Sequence, residues 1–174
     1  MSMTIPSPSP FASHWDLDPD VVFLNHGSFG ACPRVVLEQQ RELRREMEAQ
    51  PLRFLHHSIE ERMDAAKPRL AKLLGCAVED MALIANATTG VNTVLRSLTF
   101  APGDELLVTD HEYNASRNAL DFVAQRSGAR IVVVPIAFPV ETSETIVADL
   151  VAATSDRTKL CLIDHVTSAT GFIM

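Results

Sequence analysis

The sequence predicts an α/β fold: a mainly parallel sheet with helices on both faces. Three observations carry that expectation. Short runs rich in Val, Ile and Leu lie at residues 81–85, 105–109, 130–135 and 159–164. Helix-length segments at 89–98, 114–127 and 143–153 separate them. Pro102-Gly103, Gly128 and Pro139 punctuate the series with turn-forming residues. Near-continuous apolar strands alternating with helices are what a sheet buried on both sides needs, because each crossover lays a helix on one face.

Ahead of this series the pattern is different. Residues 1–20 read as a flexible leader and entry segment, the leader being the Ser/Pro-rich MSMTIPSPSP. Residues 21–80 read as an N-terminal loop followed by helices. VVFLNHGSFGACP (21–33) begins as a short strand and breaks into a glycine-bearing loop. Pro33 suits the first turn of a helix reaching about Gln50, with Val36, Leu43 and Met47 as its apolar stripe. A second helix spans about 57–74, where Ile59, Met63, Ala66, Leu70 and Leu73 recur at helical spacing. Pro68 predicts a kink or early break in it, and Gly75 a C-terminal stop. Residues 81–174 form the α/β part. The apolar run GFIM closes the sequence soon after the strand LCLID, where a covering helix is wanted, so a larger parent protein is expected.

Composition narrows the function classes. The 174 residues carry a net charge of −7, which disfavours nucleic acid as a partner, since phosphate contacts need clustered Lys and Arg. The basic run RELRR is interleaved with glutamates and reads as a solvated helix face. Cys32, Cys76 and Cys161 are odd in number and widely spaced, which suggests neither a disulfide framework nor a zinc site and points to a cytoplasmic chain. No apolar run is long enough for a membrane span.

In open α/β sheets ligands bind outside the carboxyl ends of the strands. Three of those ends are polar here: Asn86-Ala87-Thr88-Thr89, Asp110-His111-Glu112-Tyr113-Asn114 and Asp164-His165-Val166-Thr167-Ser168. The strand at 130–135 ends in Pro135-Ile136-Ala137 and offers nothing comparable. Thr88 and Thr89 at a helix start fit two roles: holding an anion at the N–H-rich terminus, or capping the helix's own amides. Tyr113 either stacks a flat heterocycle or caps the core. Asp164 and His165 are adjacent on a strand and point to opposite faces, so they make no dyad. GxSxG, GxGxxG and the P-loop pattern are all absent, and His26, His111 and His165 show no metal-ligand spacing.

LNHGSFGACP, NATTGVNTVLRSL, DHEYNASRNAL and DHVTSATG, in this order, resemble the class V aminotransferase family of fold type I pyridoxal-phosphate enzymes, in particular its isopenicillin N epimerase-like branch. The resemblance covers about residues 20–174 and implies part of the large cofactor domain. It implies pyridoxal 5'-phosphate as cofactor, with Ala87, Thr88 and Thr89 at its phosphate, Tyr113 over its ring and Ser168 near its phenolic oxygen. Ser168 stands where cysteine desulfurases have a longer asparagine, which leaves that contact open. Asn25, His26 and Ser28 fall in a segment lining the substrate side. A homodimer acting on a small amino acid, through an external aldimine and α-proton removal, is also implied. The family's Schiff-base lysine and pyridinium-pairing aspartate lie downstream of DHVTSATG. Lys67, Lys72 and Lys159 do not replace that lysine, so no catalytic residue is assigned. C–S lyase or desulfurase chemistry, an inactive fragment, and a module binding a phosphorylated ligand are the alternatives.

Overall fold

The computed structural model describes residues 7–140 and 142–174; the first part of the expected leader, residues 1–6, lies outside them. The chain divides into two compact units, Met1–Ala82 and Leu83–Met174.

In the first unit, the entry segment that follows the Ser/Pro-rich leader is tied down. Ala12–His14 form a 3-10 turn. The indole N–H of Trp15 donates to the Ala31 carbonyl at 3.1 Å, and Arg34 pairs with Asp16 at 3.4 Å. The strand expected at the start of VVFLNHGSFGACP does not form, and Val21, Val22 and Leu24 remain exposed. The loop instead winds into one helical turn, α1 (His26–Phe29), followed by α2 (Arg34–Ala49). Pro33 sits just before α2 in extended conformation, where its fixed φ and missing N–H cost the helix nothing. A π-helical turn, Arg53–Ser58, leads into α3 (Ile59–Leu74).

The break expected at Pro68 does not occur, for helical backbone continues through it to Leu74. Gly75 stops the helix in the left-handed region at φ 71°, returning its N–H to the Ala71 carbonyl. Leu73, which helical spacing placed on the apolar stripe, is 81% exposed.

The second unit holds α4 (Ala87–Ser97), β1 (Glu105–Thr109), α5 (Asn114–Ser127), β2 (Arg130–Val134), α6 (Ser143–Ala152) and β3 (Thr158–Leu162). The strands form a parallel sheet ordered β2-β1-β3. The run at 81–85 is not a strand; Leu83 and Ile84 stay about half exposed, with no ladder among the described residues to pair with. Because the β2-to-β3 crossover reverses direction across β1, right-handed connections place α5 and α6 on opposite faces. Central β1 is buried along its whole length. On one face Leu106 and Val108 pack with Leu95 of α4 and Ala119, Leu120, Val123 and Ala124 of α5.

The amino ends of the strands are locked by Glu105, whose side chain is 7% exposed. It accepts from the Ser155 hydroxyl at 2.8 Å and from Arg130 at 2.6 Å. These two partners hold its carboxyl below the ordinary glutamate range. A group with a depressed pKa stabilises the fold above its unfolded value and loses that contribution as pH falls. Glu105→Gln should therefore flatten the acid limb of the stability profile, as read by urea midpoints between pH 6 and 3.

Candidate functional site

The carboxyl ends of β1 and β3 meet. After β1 the chain runs Asp110-His111-Glu112-Tyr113 into α5; after β3 it runs Asp164-His165 into a tight hairpin. Val166 and Ile173 form an antiparallel bridge, and the Thr167 amide donates to the Phe172 carbonyl at 2.9 Å. Buried Thr167 stiffens the turn: its hydroxyl lies 2.7 Å from that of Thr170 and accepts the Phe172 amide at 2.9 Å. Gly171 takes φ 65°, a conformation that an L side chain rarely adopts.

Two contacts join this hairpin to the β1 end. The backbone N–H of Tyr113 donates to Asp164 Oδ2 at 3.1 Å, and Thr170 Oγ1 lies 3.3 Å from His111 Nδ1. Asp110 ties the same end to β2, its Oδ1 accepting the Ile136 amide at 2.8 Å. Tyr113 is 46% exposed, so it does not cap the core.

Among the described residues the buried side-chain oxygens without a hydrogen-bond partner are Thr109 Oγ1 and both carboxyl oxygens of Glu112. All three sit at the carboxyl end of β1. Native folds satisfy nearly all buried polar atoms, so a local concentration of orphans marks a place organised for something other than stability. Burial first, and the neighbouring Asp164 carboxylate second, push the Glu112 pKa up to about 7.

The corner at α4 settles one of the two roles left open for the threonines. The capping side chain is Asn86, whose Oδ1 accepts the Thr89 amide at 2.9 Å and the Thr89 hydroxyl at 3.1 Å. The Gly90 amide returns to the Asn86 carbonyl at 3.2 Å. The amides of Ala87 and Thr88, and the Thr88 hydroxyl, make no hydrogen bond among the described residues. A helix start with spare donors and a partial positive charge suits an anion. Thr88, Thr89, Asn92, Thr93 and Arg96 line an open depression of about 350 Å³ running from this corner along α4. Asn86→Ala should cost about 1 kcal/mol of stability, measurable by urea unfolding, through loss of the cap.

Ser168 is exposed at the hairpin turn, and no hydrogen bond joins it or Tyr113 to the Ala87–Thr89 corner among the described residues. Asn25, His26 and Ser28 lie in the first unit, around α1, where His26 packs edge-on against Phe23 with ring centroids 4.7 Å apart. Lys67 pairs with Asp64 at 3.0 Å, while Lys72 and Lys159 are exposed. Sequence reasoning passed over Asn86 as the cap and Glu112 as a buried acid. The first was findable, since Asn is a strong N-cap residue three positions before the amide it serves. The second carried no signal, for a glutamate in a polar run reads as solvated.

A parallel three-stranded sheet with helices in its crossovers defines an open α/β domain. The chain belongs to the class V aminotransferase family, whose model (Aminotransferase class-V) matches residues 22–174. It is 36% identical over 159 residues to isopenicillin N epimerase of Streptomyces clavuligerus, covering 91% of this chain and 40% of that protein. It is 30% identical over 168 residues to putative L-cysteine desulfhydrase 1 of Oryza sativa subsp. japonica, covering 88% of this chain and 35% of that protein. Among solved structures it resembles the cystine C–S lyase C-DES, in a form with glycine covalently linked to the pyridoxal-phosphate cofactor, at TM-score 0.80 and 24% identity, covering 90% of this chain and 41% of that one. It also resembles the cysteine desulfurase CsdA of Escherichia coli at TM-score 0.74 and 21% identity, covering 98% and 44%. These structural likenesses establish the fold. The chain spans about two fifths of the length of the relatives it matches.

Proposed function

We propose that this chain is the N-terminal part of a pyridoxal-phosphate enzyme that removes the α-proton of an amino acid. Family membership carries the cofactor class; the observation on this chain that supports it is the pair of unpartnered amides at Ala87 and Thr88. Those donors and the Thr88 hydroxyl fit a phosphate, and the half-exposed Tyr113 ring fits an aromatic heterocycle. Thr89, whose amide and hydroxyl already serve Asn86, contributes through the cap it completes. Ser168 is proposed at the phenolic oxygen, and Asn25, His26 and Ser28 as substrate contacts, on the family resemblance.

Bound pyridoxal phosphate supplies an electron sink for a carbanion at the substrate α-carbon. The chain's own residues would bind and orient it: the free amides at the start of α4 would donate to the phosphate, and Tyr113 would pack against the ring. The helix-terminus charge is worth only about 0.3–2 kcal/mol, so ring contacts and a covalent anchor must supply most of the affinity. Epimerisation and C–S cleavage both begin from the same proton removal, and relatives of both kinds are found. The enzyme is further proposed to be a cytoplasmic homodimer; the three unpaired cysteines fit a reducing compartment. No helix among the described residues is long and apolar enough to cross a membrane.

The test is borohydride reduction of the full-length protein loaded with pyridoxal phosphate, followed by peptide mapping. The label is expected on a lysine beyond residue 174. Labelling of Lys67, Lys72 or Lys159 would overturn the reading that the covalent anchor lies outside this chain. In the same preparation Thr88→Ala should weaken cofactor retention about threefold to tenfold; unchanged retention would remove the phosphate role from this corner.

A further inference from the structure

Three residues of the loop after β1 are held by groups that lie far away in sequence. Asp110 Oδ1 accepts the Ile136 amide at 2.8 Å, just past the end of β2. His111 Nδ1 lies 3.3 Å from Thr170 Oγ1, and the Tyr113 N–H donates to Asp164 Oδ2 at 3.1 Å. The last two ties both run to the segment after β3. That segment is braced from within. The Met174 amide donates to the His165 carbonyl at 2.9 Å, beside the Val166–Ile173 bridge. The Gly171 amide closes the turn on the Thr167 carbonyl at 2.9 Å, and the buried Thr167 hydroxyl lies 2.7 Å from that of Thr170.

Tyr113 stands where this loop becomes a helix. Its carbonyl accepts the Arg117 amide at 2.9 Å, in the first turn of α5, while its N–H has Asp164 as its acceptor among the described residues. The backbone of Tyr113 is thus pinned from both sides. Its phenol makes no hydrogen bond among the described residues, so backbone placement governs where the half-exposed ring can reach. We propose that Asp164 is a positioning residue: by accepting the Tyr113 N–H it sets the point from which the Tyr113 ring meets the cofactor. The braced hairpin in turn holds Asp164. The role requires an acceptor oxygen at this distance, and an amide oxygen can fill it as a carboxyl oxygen does.

The proposal rests on the reading that Tyr113 lies at a pyridoxal-phosphate ring, and the experiment separates the two. Full-length holoenzyme is prepared as wild type and as Tyr113→Ala, Asp164→Ala and Asp164→Asn. The readouts are amide hydrogen exchange at Tyr113, the visible circular dichroism of the bound cofactor, and the dissociation constant for pyridoxal phosphate. Asp164→Ala should speed exchange of the Tyr113 amide about tenfold, lower the dichroism about twofold or more and weaken binding about threefold to tenfold, as loss of one hydrogen bond predicts. Asp164→Asn, which keeps the acceptor oxygen, should stay within about twofold of wild type in all three.

Unchanged exchange in Asp164→Ala would show that the tie is not made, and overturns the proposal. If Tyr113→Ala alters the dichroism while Asp164→Ala leaves it unchanged, the positioning role is wrong and the cofactor reading survives. If Tyr113→Ala itself changes neither dichroism nor binding, the ring assignment fails and the proposal falls with it. Equal losses in Asp164→Ala and Asp164→Asn would also overturn it, since the acceptor oxygen would then not be what counts. Should Asp164→Ala not fold, Asp164→Ser, whose oxygen stops one bond short, takes its place. A dichroism about twofold or more below that of Asp164→Asn supports the proposal, and a smaller gap overturns it.

Discussion

Leu120→Ala should destabilise the second unit by about 3–5 kcal/mol, enough to shift the urea midpoint of the protein by more than 1 M if m lies near 2 kcal/mol/M. Leu120 is fully buried on α5, in the cluster that includes Leu106 and Val108 of β1 and Leu95 of α4. Truncation there removes three carbons' worth of transfer energy and leaves a cavity at the junction of two helices and the central strand. That packing is rigid on every side, so little collapse can refill the space. A loss below about 1 kcal/mol would mean that α5 does not seat on the sheet as described. The site would suffer as well, because Tyr113 leads directly into α5 and is placed by it.

Glu112→Gln should remove a pH dependence rather than simply shift stability. The folded pKa of Glu112 is raised from the usual 4.5 to about 7, so the native state holds a proton that the unfolded chain has released. Stability from this group is complete below about pH 4.5 and is lost as pH rises through 7. Partial solvent screening reduces the effect to on the order of 1–2 kcal/mol. The glutamine variant, with no ionisable group, should match wild type near pH 4 and exceed it by that amount at pH 8. Urea unfolding at the two pH values measures it directly. Equal differences at both would show that Glu112 titrates normally in the fold.

The two experiments probe opposite terms. Leu120 contributes stability by being buried among apolar neighbours; Glu112 costs stability by being buried without a partner. Such a cost at the strand end nearest Tyr113 is what a functional constraint looks like in energetic terms. Replacing the acid with a neutral isostere tests the cost without emptying the space.

Helices α4, α5 and α6 and the three strands were legible from composition and spacing, to within a few residues at each end. Their signals are local: β-branched runs, helical periodicity, and stops at Gly75 and Gly128, both found in the left-handed region. Misreadings came where local character was overruled. Residues 81–85 look like a strand but join no ladder among the described residues, and of the kink or early break expected at Pro68 the break is absent because the helix continues to Leu74. Family membership was also legible, because four short motifs recur in a fixed order along the chain.

By itself, then, the sequence determined the α/β class, the polar strand ends and the family, all of which depend on residue type and near-neighbour spacing. Only the tertiary structure decided the order β2-β1-β3, which brings residues 113 and 164 within one hydrogen bond. It also decided that Asn86 rather than a threonine caps α4, and that the Glu112 carboxyl oxygens are buried while Tyr113 is half exposed. Burial and pairing belong to groups far apart in the chain, and no local pattern encodes which distant carboxylate will accept the Tyr113 amide.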